Sequence, residues 1–211
     1  GMGGAKAGGI ASSLSNKIFV SEIYKKLLVL SNSKINYAKI LQVACKNVNG
    51  IAFNYSLFDD SYTGMGTTLV GGVVNEKGEA HLINIGDSRA YHISEGYTKI
   101  SQITRDHSYV EHLVEAGLLT REEARNHPNK NVITRAVGSD EDIEGDYFCV
   151  QLHSRDILLL CSDGLSNTLT DEEILNYASE YAEPETLCTA LLEEALKRDV
   201  RDNITIVAIQ R

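Results

Sequence analysis

Apolar residues recur at helical intervals twice near the start of the chain. Ile18, Phe19, Ile23, Leu27 and Leu30 predict a helix over 18–30, and Ile40, Leu41, Ala44, Val48, Ile51 and Ala52 predict a second over 36–56, joined by the polar Ser31-Asn32-Ser33-Lys34. The texture then changes to short β-rich runs at 67–74, 79–85, 89–94 and 97–100, separated by turn signals at Asn75 to Gly78, Gly86-Asp87 and Glu95-Gly96. That spacing describes an antiparallel meander. Residues 108–135 return to a helical pattern, with Val110, Leu113, Val114 and Leu118 on one face and Thr120 to Glu123 as a capping box. Strands follow at 147–152 and 156–161, then helices at 170–182 and 184–198, the second opening on Pro184. A last strand over 203–209 is almost wholly apolar, which predicts burial on both faces. Helices set between two batches of antiparallel strands give an α+β layered fold rather than an alternating parallel one.

Composition narrows this picture. With 211 residues, 43% of them hydrophobic, the chain is expected to form one domain over 1–211 with a sizeable core. No apolar run approaches the ~20 residues of a membrane span. The net charge of −9 is spread along the chain without a basic stripe, which argues against a nucleic-acid partner and against a carboxylate-based nuclease. Cys45, Cys149, Cys161 and Cys188 have no paired close spacing, so neither a zinc knuckle nor a disulfide framework is indicated; Cys149 and Cys161 read as small strand hydrophobes. Unpaired thiols and the lack of a secretory pattern favour the cytoplasm.

Candidate chemistry sits where strands meet turns. The apolar run Ile157 to Cys161 delivers Asp163, and Gly164 behind it permits a tight turn or a close approach; an ordinary Asp-Gly turn explains the pair equally well. Asp202 precedes the last strand. If that strand pairs antiparallel with 157–162, both aspartates lie side by side at one sheet end, where two carboxylates repel unless a cation neutralises them. Asp106 stands at the head of the middle helix, a position that acids occupy as caps. His107, His112 and His127 share no metal-ligand spacing, although His107 adjoins Asp106. Gly86-Asp87 reads as a hairpin connection without chemistry, and Gly64 to Thr68 as a strand entry or a close backbone passage.

Taken in order, Gly1-Met2-Gly3-Gly4, Gly66-Thr67-Thr68, Gly86-Asp87-Ser88-Arg89, Thr104-Arg105-Asp106-His107, His127-Pro128, Ser162-Asp163-Gly164-Leu165 and Asp202-Asn203 span nearly the whole chain. This series resembles the protein phosphatase 2C family of metal-dependent Ser/Thr protein phosphatases, its bacterial branch in particular. The resemblance implies an antiparallel β-sandwich flanked by helices on both faces, a four-layer α-β-β-α arrangement. It implies Mn²⁺ or Mg²⁺ at the sheet edge and hydrolysis by a metal-activated water without a phosphoenzyme. Asp163 and Asp202 would be the catalytic metal ligands, the carbonyl of Gly1 a further ligand, and Asp106 the ligand of a third, weaker metal. Loops around 126–150 would form a flap over the site. Substrates would be phosphorylated proteins, with a Ser/Thr kinase in opposition.

One departure from the family qualifies the expectation. There, an Asp that bridges both cations immediately precedes Gly-Met-Gly-Gly, and a strand with a phosphate-binding Arg and a supporting Glu comes before it. None of these is in the present sequence, which reads as N-terminally truncated, with Gly1 as a cleavage scar and Met2 as an assigned start. The expected consequences are weakened metal binding, impaired phosphatase activity, and an open sheet edge that favours dimerisation. The alternative function is a catalytically inactive pseudophosphatase that binds phosphoproteins.

Overall fold

A computed structural model describes residues 1–2, 4–29, 35–58, 60–198, 200 and 202–211. Two helices come first, α1 (Gly4–Val29) and α2 (Tyr37–Phe58). The predicted linker Ser31 to Lys34 lies outside the described residues. The first helix begins far ahead of the expected Ile18. Its early turns bury Ala7, Ala11 and Ser15, a stripe of small side chains at four-residue spacing that lets the helix lie close to its neighbours while carrying almost none of the bulky apolar signal.

Among the described residues, seven strands form two antiparallel sheets. β1 (Leu69–Val74), β2 (Glu79–Ile85) and β5 (Asp146–Gln151) make one, in the order β1-β2-β5. β3 (Arg89–Ile93), β4 (Ile100–Gln102), β6 (Ile157–Cys161) and β7 (Ile206–Gln210) make the other, in the order β4-β3-β6-β7. Three hydrophobic clusters fix the layering. Leu41, Cys45 and Val48 of α2 and Phe19 and Ile23 of α1 pack with Leu69, Ile83 and Ile85 of the first sheet. Ala80, Leu82, Ala90, Leu152 and Leu158 fill the space between the sheets. Tyr91, Ile93, Ile157 and Leu159 of the second sheet meet Ile174 and Ala178 of α6 (Asp171–Glu180) and Leu187, Leu191 and Ala195 of α7 (Pro184–Lys197). The fold is therefore the expected α+β type, with helices on both outer faces of two stacked sheets.

Four local expectations fail, each for a readable reason. The strand predicted at 97–100 starts only at Ile100, because Gly96 (φ 75°) and Tyr97 (φ 53°) turn the chain out of extended geometry. The single helix predicted over 108–135 is two short ones, α3 (Tyr109–Glu115) and α4 (Arg121–Asn126), broken near Gly117 (φ 70°) and followed by a long irregular segment to Gly145. The last strand is shorter than expected and is not buried on both faces: it stands at a sheet edge, with Val207 45% and Ile209 41% exposed. Cys149, expected to act as a buried hydrophobe, is exposed, whereas Cys161 is buried. Among the described residues no helix is long and apolar enough to cross a membrane.

Candidate metal centre

Antiparallel pairing of β6 with β7, with Cys161 opposite Ile206, brings the segments carrying Asp163 and Asp202 to the same sheet end. Ser162 fastens them. Its backbone N–H donates to the Thr205 carbonyl (3.0 Å), its Oγ donates to the Asn203 carbonyl (3.1 Å), and the same Oγ accepts from the Thr205 N–H (3.0 Å). Gly164 is required by this closeness: a Cβ there would meet the Asn203 carbonyl oxygen at 2.5 Å. Asp163 itself opens the one-turn helix α5 (Asp163–Ser166), directly after β6.

A third carboxylate joins them. Asp87, in the turn between β2 and β3, lines the same cleft of about 650 Å³ as Asp163, Asp202 and Gly1. β3 pairs with β6, Arg89 opposite Cys161, so a residue two positions before Arg89 falls beside the end of β6. Gly86 makes the turn with φ 104°, and a Cβ on it would strike the Thr68 side chain. Burial pushes the Asp87 carboxyl up to about 7, with Asp163 and then Asp106 adding repulsion. Asp163 is raised as well, first by burial and then by Asp202, against the lowering effect of the Gly164 N–H and the Gly1 ammonium. Among the described residues, neither Lys nor Arg lines the cleft.

Carboxylate and carbonyl oxygens that line one cleft fit a hard divalent cation. Among the described residues no three carboxylate, imidazole or thiolate groups enclose an ion by themselves. Gly1 is held at the cleft by its neighbour: the Met2 N–H donates to Gly66 (2.7 Å) and the Met2 carbonyl accepts from the Gly66 N–H (3.3 Å).

Asp106 stands elsewhere in the arrangement. It does not cap α3, whose N-cap is Ser108. Both its oxygens face Arg89, with Nε at 3.0 Å from each and Nη2 at 2.7 Å from Oδ2, and Gln102 Nε2 donates to Oδ1 at 2.8 Å. Arg89 also donates to the Tyr91 hydroxyl (3.0 Å), which donates on to Asp171 at the head of α6 (3.1 Å). A cation at Asp106 would have to compete with this guanidinium. Asp87 is the residue that sequence reasoning passed over. The signal for it existed in Gly86-Asp87 at the end of β2, but it becomes readable only once β3 is known to lie beside β6.

The fold is thus a four-layer α+β one, with three carboxylates lining a cleft at its sheet ends. Residues 49–211 match the family model described as Stage II sporulation protein E (SpoIIE). The chain is 34% identical over 214 residues to the serine/threonine phosphatase stp of Listeria monocytogenes, covering 100% of this chain and 82% of that one. It is 34% identical over 212 residues to the protein phosphatase PhpP of Streptococcus pneumoniae, covering 99% and 82%. Among solved structures, the Mycobacterium tuberculosis serine/threonine phosphatase PstP/Ppp superimposes with a TM-score of 0.85 at 31% identity, covering 98% of this chain and 83% of that one. A PstP catalytic domain in complex with two manganese ions gives a TM-score of 0.80 at 32% identity, covering 98% and 83%. The chain belongs to the protein phosphatase 2C family of metal-dependent Ser/Thr protein phosphatases, in its bacterial branch.

Proposed function

We propose that the protein hydrolyses phosphoserine and phosphothreonine in proteins, with all 211 residues forming one catalytic domain, with Asp163 and Asp202 as the carboxylates that hold Mn²⁺ or Mg²⁺ and with Asp87 beside them in the cleft. The carbonyl of Gly1 completes the set, and Asp106 serves a further ion only where Arg89 yields it. The observation that carries this reading is that Asp87, Asp163 and Asp202 line one cleft in which, among the described side chains, there is no Lys or Arg. Divalent cations bound there would polarise a phosphoryl group and lower the pKa of a water.

The surrounding residues support attack by water rather than by a side chain. Cys161 lines the cleft, but burial pushes its thiol up to about 12, so it holds its proton and is no nucleophile. The Ser162 hydroxyl is committed to Asn203 and Thr205. Thr67, Thr68 and Ser88 also line the cleft, but the Thr67 hydroxyl donates to the Thr68 carbonyl (3.0 Å) and the Thr68 and Ser88 hydroxyls bond to each other (2.7 Å). Phosphoproteins made by a Ser/Thr kinase are the substrates this reading favours, and the four free cysteines suit a reducing cytoplasm. β1 carries no charged residue, which favours self-association through its outer edge.

The test combines Mn²⁺ calorimetry with phosphate release from a phosphothreonine peptide, for the chain and for Asp163→Asn. Metal binding should weaken in the variant by more than the ~10–100-fold that loss of an outer-shell partner costs. Unchanged binding in Asp163→Asn sinks the site reading. Metal binding with no turnover favours the phosphoprotein-binding alternative.

A further inference from the structure

Glu79 and His81 of β2 share one face of the first sheet with Tyr147 and Cys149 of β5, and none of the four lines the metal cleft. Antiparallel pairing sets His81 directly opposite Cys149, with Tyr147 on the diagonal. The Tyr147 hydroxyl and His81 Nδ1 are 2.7 Å apart. Tyr37, at the start of α2, stacks on the imidazole with ring centroids 4.1 Å apart, which fixes the plane of the ring. His81 is 8% exposed, and its Nε2 is buried without a hydrogen-bond partner, 3.9 Å from Glu79 Oε2. Burial lowers the His81 pKa against the opposing pull of Glu79, so the ring is a neutral base with a counter-ion waiting beside it. Burial first, and then the neighbouring Cys149 thiol, hold the Tyr147 phenol above its ordinary range, so Tyr147 keeps its proton. Cys149 ends the row and is exposed. The other thiols differ: burial pushes Cys45 and Cys161 up to about 12, and it raises the half-buried Cys188 as well.

We propose that Cys149 is a modification site, a thiol oxidised by hydroperoxides, with Tyr147 and His81 as the groups that take its proton. A nucleophile, a hydroxyl that bridges to a base, and a base held in plane by a third side chain make the arrangement that activates a thiol. As the Tyr147 proton moves to His81 Nδ1, the phenolic oxygen takes the proton of Cys149. The thiolate attacks a peroxide oxygen, so that an S–O bond forms and the O–O bond breaks. Sulfur is oxidised to the sulfenic acid while the peroxide is reduced, and the leaving hydroxide takes the proton of the His81 imidazolium to become water. A low-molecular-weight thiol then condenses with the sulfenic acid, releasing water and leaving a mixed disulfide. A second such thiol attacks that disulfide, departs with the first as their own disulfide, and restores Cys149.

The experiment exposes the folded 211-residue chain to hydrogen peroxide in the presence of dimedone, which traps sulfenic acids, and follows labelling of each cysteine by peptide mass mapping. Cys149 should be labelled about tenfold faster than Cys45, Cys161 and Cys188, and about tenfold faster than Cys149 itself in the chain unfolded by urea. Tyr147→Phe keeps the ring but removes the bridging hydroxyl, and should slow labelling of Cys149 about tenfold. His81→Gln should slow it to a similar degree; if that variant does not fold, Tyr147→Phe decides alone. The sign separates chemistry from structure: a merely structural role for Tyr147 or His81 predicts a lowered unfolding temperature with Cys149 labelled as fast as before or faster. Labelling of Cys149 no faster in the folded chain than in urea, or slower than that of Cys188, would overturn the proposal. Undiminished labelling in Tyr147→Phe would overturn it as well, leaving Cys149 an exposed thiol without activation.

Discussion

Asp163 and Asp202 reach the cleft by a different route from Asp87. The first two ride on neighbouring antiparallel strands, and the register of β6 with β7, closed by the three hydrogen bonds of Ser162, leaves their segments little choice of position. Asp87 rides on a turn, and everything that steadies the turn comes from distant sequence: Asn84 bonded to Arg105, Arg89 bonded to Asp106, Gly86 bonded to His107. A carboxylate carried by a strand end is placed by backbone pairing, which side-chain substitution barely touches. One carried by a turn is placed by side chains, each of which is a point of failure.

The largest expected effect lies on the turn side. Arg89→Leu leaves Asp106, 7% exposed, without its bidentate partner, and breaking a buried pair in this way costs about 3–5 kcal/mol. Urea unfolding in chelator should show the loss, and a change under 1 kcal/mol, on the order of an exposed pair, would mean the turn is steadied by something other than this network.

The strand side should yield less. Gly164→Ala places a methyl 2.5 Å from the Asn203 carbonyl, and forcing extra volume into such a contact costs about 1–3 kcal/mol. Because the 202–205 segment must shift to admit it, Mn²⁺ binding should weaken together with stability. A variant as stable as the parent, gaining only the helix propensity of alanine, would show that Asp202 is not tied to Asp163 through this contact.

The smallest effect compares the two routes by charge. Asp87 has a folded-state pKa near 7, raised by burial and then by Asp163 from its ordinary 3.8. Protonation therefore favours the folded form: the contribution is complete below the ordinary carboxylate pKa and is lost as pH rises through about 7. In chelator the unfolding temperature should fall by several degrees over that window, and Asp87→Asn should flatten the slope. An unaltered slope in the variant would place the titrating group elsewhere in the cleft.

The apolar pattern alone was enough for the helices α2, α6 and α7, each with one strong apolar face, and for β2 and β6, which are buried on both faces. It was not enough for the first fourteen residues of α1, whose buried stripe of Ala7, Ala11 and Ser15 is nearly silent in an apolar pattern, or for 108–135, where Gly117 breaks a helix that the pattern alone would continue. The β7 error has another origin. Ile206 to Ile209 are apolar in every position, yet the strand ends up at an edge, because sheet order depends on which strands find each other rather than on any one strand's composition.

The same division holds for the site. Asp163 and Asp202 were legible because a strand end and a strand start, paired antiparallel, must meet, a consequence of local chain direction that sequence encodes. Asp87 was not legible, nor was the engagement of Asp106 by Arg89, because both follow from β3 lying beside β6 and from the 103–107 loop folding back beneath the turn. Such neighbours are chosen by packing across the whole chain, and the sequence, read locally, carries their residues without their distances.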